Sequence, residues 1–235
     1  MAFPEFLMAY SPAEQPNEEL YEIAEILEGE FAATLREAAR ESTIDVVATV
    51  YEKSAPGTRV YDTAIVIKGS GKLVSTYRKL HLYDALGFRE SDKLKAGDDV
   101  AMPVETGIDC IGVMICYDIR FPELSRILAV LGAETLIAPS GWVQGDRKVE
   151  HWQTMLQARA LENGCYVVAP NQVGNIYTGH SMVVDPLGKV ILDMGEKEGL
   201  QVVELDAALL RDVRAKLPLI KHRRTDVYAK YLKEH

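Results

Sequence analysis

Cys116 is the residue in this chain best placed to act as a nucleophile. It closes a short apolar run, Ile111-Gly112-Val113-Met114-Ile115, whose length and β-branched content predict a buried strand. Pro122 then opens a segment in which Leu124, Ile127, Leu128 and Leu131 fall at helical spacing. A side chain on such a strand-to-helix corner projects from the sheet, beside backbone N–H groups able to hold an anion. The plainer reading of a cysteine is a small buried hydrophobe, and it is the one taken for Cys110 and Cys165. A free thiol titrates near ~8.5, so an active Cys116 needs a base or a cation beside it. Glu5 is set among apolar residues, which would raise its pKa if it were buried. Lys79 ends a predicted strand, and Glu90 lies in a loop; taken singly, each of these three reads equally well as a solvated side chain.

Other chemistries fare worse. The histidines, at 81, 151, 180, 222 and 235, form no ligand-spaced cluster with cysteine or carboxylate, so no metal is expected, although a Cys–His pair stays open. Gly-x-Ser-x-Gly, Gly-x-Gly-x-x-Gly and the Walker loop are absent. A formal net charge of -9 disfavours nucleic acid and anionic membrane surfaces as partners, which leaves small molecules. No apolar run reaches the roughly 20 residues of a membrane span. Three cysteines, with no secretory signal, suit a reducing cytoplasm rather than a disulfide framework.

The elements that must position these residues are legible as hydrophobic periodicity. Across 235 residues, 48% hydrophobic and 26% charged, one domain over 1–235 is expected. Ser11-Pro12-Ala13-Glu14 reads as a helix start, followed by one helical pattern through Leu20, Ile23, Ala24, Leu27, Phe31, Leu35 and Ala38. Strands are predicted over 44–51, 60–68 and 73–78, the last two joined by a Gly69-Ser70-Gly71-Lys72 turn. The stretch 84–99 reads as a long functional loop. Beyond the Cys116 corner come a strand over 135–138, a helix over 151–162 stopped by Gly164, and a strand over 166–169. A hairpin follows, 181–185 with 189–192, then a strand over 200–205 and a helix capped by Asp206. The tail from Lys221 to His235 is charged, with Tyr228 and Tyr231 as anchors. Alternating strands and helices flanked by hairpins indicate an α/β layered fold with a mixed sheet.

Three stretches taken together carry a resemblance. Phe3-Pro4-Glu5-Phe6, Tyr77-Arg78-Lys79-Leu80-His81-Leu82 and Cys116-Tyr117-Asp118-Ile119-Arg120-Phe121-Pro122-Glu123 resemble, in that order, the catalytic motifs of the nitrilase superfamily of carbon–nitrogen hydrolases. Flanking matches at Gly141-Trp142, Ala158 to Asn163 and Ser181 to Gly188 extend it over essentially the whole chain. The residues after Cys116 are more similar to the amidase branches, including those acting on ω-amides and deaminated glutathione, than to true nitrilases.

The resemblance implies a four-layer αββα sandwich, dimerisation through the face bearing the nucleophile's helix, no cofactor, and a triad of Glu5, Lys79 and Cys116 with Glu90 as an accessory glutamate. The expected reaction is hydrolysis of a small linear carboxylic amide through a thioester, with release of ammonia. Glu5 would take the Cys116 proton and return it to the leaving amine, while Lys79 and the Tyr117 N–H hold the oxyanion. Tyr117, Arg120, Trp142 and Arg159 are the candidate substrate-binding residues, the arginines for a substrate carboxylate. N-carbamoyl-amine hydrolysis and nitrile hydrolysis remain alternatives. Members of the superfamily carry a first strand and helix ahead of Phe-Pro-Glu, whereas this sequence starts almost on that motif. The expectation is therefore an N-terminally short domain with Glu5 on a frayed terminus, and a catalytically silent truncated homologue serving as a binding or scaffold protein stays in view.

Overall fold

The computed structural model describes residues 1–12, 14–55 and 57–231. Two sheets lie face to face with helices outside each. The helices α1 (Asn17–Ile23) and α2 (Glu30–Ser42) precede the antiparallel strands β1 (Val46–Lys53), β2 (Val60–Ile67) and β3 (Leu73–Arg78). Alternation assigns each face of this first sheet. Val46, Ala48, Val50, Ile65 and Ile67 pack with Ala32 and Ala39 of α2, whereas Val47, Ala64, Val66 and Tyr77 turn inward. Met1–Phe3 extend the sheet alongside β1, with Val47 N–H donating to the Met1 carbonyl (2.8 Å) and Phe3 N–H to the Val47 carbonyl (2.9 Å).

The second sheet is built from β4 (Val104–Glu105), β5 (Cys110–Val113), β6 (Thr135–Ile137), β7 (Tyr166–Ala169), β10 (Met182–Val184) and β11 (Val190–Asp193), in the order β11-β10-β7-β6-β5-β4. A small ribbon of β8 (Val173–Gly174) and β9 (Tyr177–Thr178) stands apart from it. The parallel run β5-β6-β7 is crossed by α3 (Pro122–Val130) and α4 (Lys148–Asn163). Leu124 and Leu128 of α3 and Trp152, Leu156 and Ala160 of α4 pack on its outer side, in the same core that receives the inward residues of the first sheet. The helices α5 (Ala207–Lys216) and α6 (Thr225–Tyr228) close the described chain. The layering is the expected αββα sandwich, and among the described residues no helix is long and apolar enough to cross a membrane.

Several expectations need correction. The long N-terminal helical pattern is two helices, because Glu25 leaves the helix to bridge Glu52 of β1 and its side chain accepts the Phe31 N–H (2.8 Å) at the head of α2. The first helix starts at Asn17 after Pro16, not at Ser11, and Ala13 of the expected start lies outside the described residues. Residues 200–205 form no strand; Leu200 and Val202 are strongly exposed. Asp206 does cap α5, accepting the Ala208 N–H at 2.7 Å. The tail beyond Tyr231 lies outside the described residues.

Candidate active site

Chain geometry brings Cys116 to a sharp corner. After β5 the backbone turns through Cys116 at φ 43°, a left-handed conformation that is costly for a side-chain-bearing residue and typical of strained functional positions. A 3₁₀ turn, Cys116–Arg120, follows, and Pro122 then fits the first turn of α3. Asp118, fully buried, holds this corner by accepting the Ile115 N–H (2.8 Å). It also accepts the Tyr77 hydroxyl (2.7 Å) and the His81 N–H (3.1 Å), and its Oδ1 lies 2.7 Å from His81 Nδ1. Tyr77 and His81 flank Lys79, so one carboxylate ties the lysine's segment to the cysteine's.

Lys79 is fully buried, with Nζ 2.8 Å from Glu5 Oε1 and 2.9 Å from Glu90 Oε2. Burial alone would depress it, but Glu5 and Glu90 outweigh that and hold Lys79 well above its ordinary value, as a fixed ammonium. Glu5 does not fray. It is fully buried, and its Oε2 accepts the Gly141 N–H (2.7 Å). Its carbonyl takes a hydrogen bond from Gln172 (2.8 Å), and the next residue, Phe6, turns at φ 60°. Gly141 is required there, since a Cβ would come within 2.9 Å of the Phe6 ring. Glu90 sits in a 3₁₀ turn, Glu90–Asp92, and accepts the Tyr83 N–H (2.8 Å) as well as Lys79. Burial, partly offset by Lys79, raises its pKa.

The Cys116 thiol is pushed well above its ordinary value by burial and by Glu5, against which Lys79 acts in the opposite sense. The resting sulfur therefore carries its proton in the field of a carboxylate and an ammonium. It lines a cavity of about 510 Å³ whose wall includes Glu90, Tyr117, Gly141, Trp142 and Lys148.

The sequence-derived binding residues divide. Tyr117 and Trp142 face the cavity. Arg120 stands one layer back, its guanidinium 4.6 Å from the Trp142 ring. Arg159 does not line the cavity: its Nε donates to the Ile119 carbonyl (2.8 Å) and its Nη1 pairs with Glu162 (2.9 Å), next to the 3₁₀ turn. Arg89, Lys93 and Lys148 put cations on the wall, and of these Lys148, which sequence reasoning missed, lies against Trp142. It is 4% exposed, its Nζ lies 4.8 Å from the centroids of both Tyr83 and Trp142, and it donates to the Tyr83 hydroxyl (3.2 Å). Burial and then Arg120 lower its pKa. Gly-Asp-Arg-Lys-Val-Glu reads as a solvated helix start, and only the adjacent Trp142 hinted at stacking.

Comparison with known proteins agrees with this geometry. Residues 1–215 match the carbon–nitrogen hydrolase family. The chain belongs to that family. It is 40% identical over 201 residues to the deaminated glutathione amidase of Escherichia coli O157:H7, a match covering 86% of this chain and 76% of the relative. Among solved structures, the C. elegans NitFhit protein superposes with a TM-score of 0.88 at 33% identity, over 97% of this chain and 57% of that one. Saccharomyces cerevisiae Nit3, a member of branch 10 of the nitrilase superfamily, gives 0.83 at 31% identity, over 95% and 82%. As a carbon–nitrogen hydrolase, the chain acts on C–N bonds other than peptide bonds.

Proposed function

We propose that this carbon–nitrogen hydrolase is a cysteine amidase that releases ammonia from a small linear amide bearing a carboxylate at its far end. The observation that carries the reading is the buried Lys79 ammonium, bonded to both Glu5 and Glu90 at the cavity where Cys116 emerges. Glu5 takes the Sγ proton as sulfur attacks the amide carbon, so that the S–C bond forms without a standing thiolate. The oxyanion is held by Lys79 and by the Tyr117 N–H at the head of the 3₁₀ turn, where such donors lack partners within the turn. Glu5 then returns the proton to nitrogen, the C–N bond breaks, and ammonia leaves a thioester. Water, deprotonated by Glu5, attacks the thioester; the C–S bond breaks and the sulfur regains its proton. Lys148, with Arg120 behind Trp142, supplies positive charge for the distal carboxylate.

The domain over 1–235 works in a reducing compartment, the cytoplasm, where Cys110, Cys116 and Cys165 stay free thiols. The test is an ammonia-release screen over ω-amides, uncharged amides, carbamoyl amines and nitriles. Turnover is expected for carboxylate-bearing amides and lost in C116A. Carbon dioxide released along with ammonia would reassign the enzyme to carbamoyl amines, nitrile turnover would make it a nitrilase, and turnover of no substrate would make it a silent binding protein.

A further inference from the structure

One carboxyl at the floor of the site has no part in the mechanism above. Asp62 lies on the central strand β2, paired across to Tyr51 of β1, and its carbonyl accepts the Lys79 N–H (2.9 Å). Neighbours in register share a face, so Tyr51, Asp62 and Lys79 point together toward Glu5. Asp62 is 1% exposed, and its Oδ2 meets no donor among the described residues. Its side chain lies within hydrogen-bond reach of Glu5, whose own oxygens already accept from Lys79 and Gly141. Two ionised carboxylates are both acceptors and cannot bond each other; a shared buried site with one ammonium leaves one carboxyl neutral.

We infer that Asp62 stands protonated and donates that proton in a hydrogen bond to Glu5, which makes it a positioning residue for the base. The inference rests on the reading of Glu5 as base. The groups facing Asp62 all favour the neutral acid or fail to offset it. Glu5 and Glu90 repel its charge, Lys79 attracts it, and Tyr51 brings a buried phenol. Burial, then Glu5, push Asp62 well above the carboxylate range. A protonated Asp62 orients Glu5 without competing for the Cys116 proton, and its ionisation at high pH would set a second negative charge against the base.

The direct test is the infrared difference spectrum between the wild type and D62N. A protonated-carboxyl C=O band present in the wild type and missing from D62N is expected; no such band overturns the assignment. With succinamate as probe, D62A should lose about 10- to 100-fold in kcat with KM little changed, since a hydrogen bond to a charged base is lost. D62N keeps a donor, so it should restore most of that loss and remove the alkaline decline in kcat/KM that Asp62 ionisation adds. D62N as impaired as D62A, or D62A as active as the wild type, overturns the positioning role. E5Q separates the two readings: wild-type turnover in E5Q dismisses Glu5 as base, whereas a missing infrared band dismisses the protonated Asp62.

Discussion

Burial disfavours the charged form at both ends of the Glu5–Lys79–Cys116 cluster, and only the lysine overcomes it. Lys79 is kept charged because two carboxylates outweigh its desolvation, while Cys116 is kept neutral because desolvation and Glu5 outweigh Lys79. Deprotonation of the thiol is therefore coupled to attack, and alkylation of Cys116 by iodoacetamide should depend on the base. We expect E5Q to slow that alkylation by about 10²-fold or more, the scale of a positioned base, as read by mass spectrometry of the Cys116 peptide; equal rates would remove Glu5 from proton transfer. With Lys148 proposed to meet the substrate carboxylate, K148M should raise KM for carboxylate-bearing amides about 10- to 100-fold, the scale of one charge-assisted contact, and leave uncharged amides nearly unaffected. Asp62 has a consequence for stability as well. Its folded-state pKa lies above the unfolded value of about 3.9, so the folded state holds a proton that the unfolded chain has released, and stability falls as pH rises through that interval. D62N should melt higher than the wild type, with a gap that is absent below about pH 4 and widens upward from there.

At the scale of elements, the site is two corners tied together by Asp118. Substituting D118A would strand the Ile115 and His81 N–H groups and the Tyr77 hydroxyl without an acceptor. Stranded buried donors cost about 1–3 kcal/mol each, so D118A should lower the urea midpoint strongly and reduce kcat in whatever fraction folds. Asp118 also marks what was legible in the sequence. Cys116, Lys79 and Glu5 could be singled out because each sits in a stretch that resembles a family motif, Glu90 came only with that resemblance, and the strands could be found because alternation reports burial. Asp118, Lys148 and Asp62 act through contacts between distant segments, which periodicity does not encode, although a carboxylate amid the apolar run Val60–Ile67 was a usable signal for Asp62. The helix break before Gly29 was hidden because the apolar spacing continues across it while Glu25 is recruited by β1. The reverse failure, at 200–205, has a reason too: apolar alternation measures a face that wants covering, and among the described residues no strand pairs with it.

Across the whole molecule, a second stretch of exposed apolar side chains, on α3 and α4, bears on assembly. Ile127, Val130 and Leu131 at the outer side of α3 and Leu161 of α4 are each 40–47% exposed. The two helices are neighbours there, Arg126 donating to the Glu162 carbonyl at 2.6 Å. Contiguous apolar surface of this kind on a folded chain marks an interface, and a second copy meeting it about a two-fold axis would cover α3 on both subunits at once. Because α3 runs directly from the Cys116 turn, covering its outer face would also steady the nucleophile. The expectation is a homodimer through α3, with light scattering giving twice the mass of one chain. Ile127→Glu combined with Leu161→Glu places charge where the partner would sit and should halve that mass, while leaving every residue that lines the Cys116 cavity unchanged. If dimerisation steadies the corner, the monomeric variant should lose turnover at concentrations where it remains folded by circular dichroism; a wild type that already weighs one chain would refute the interface.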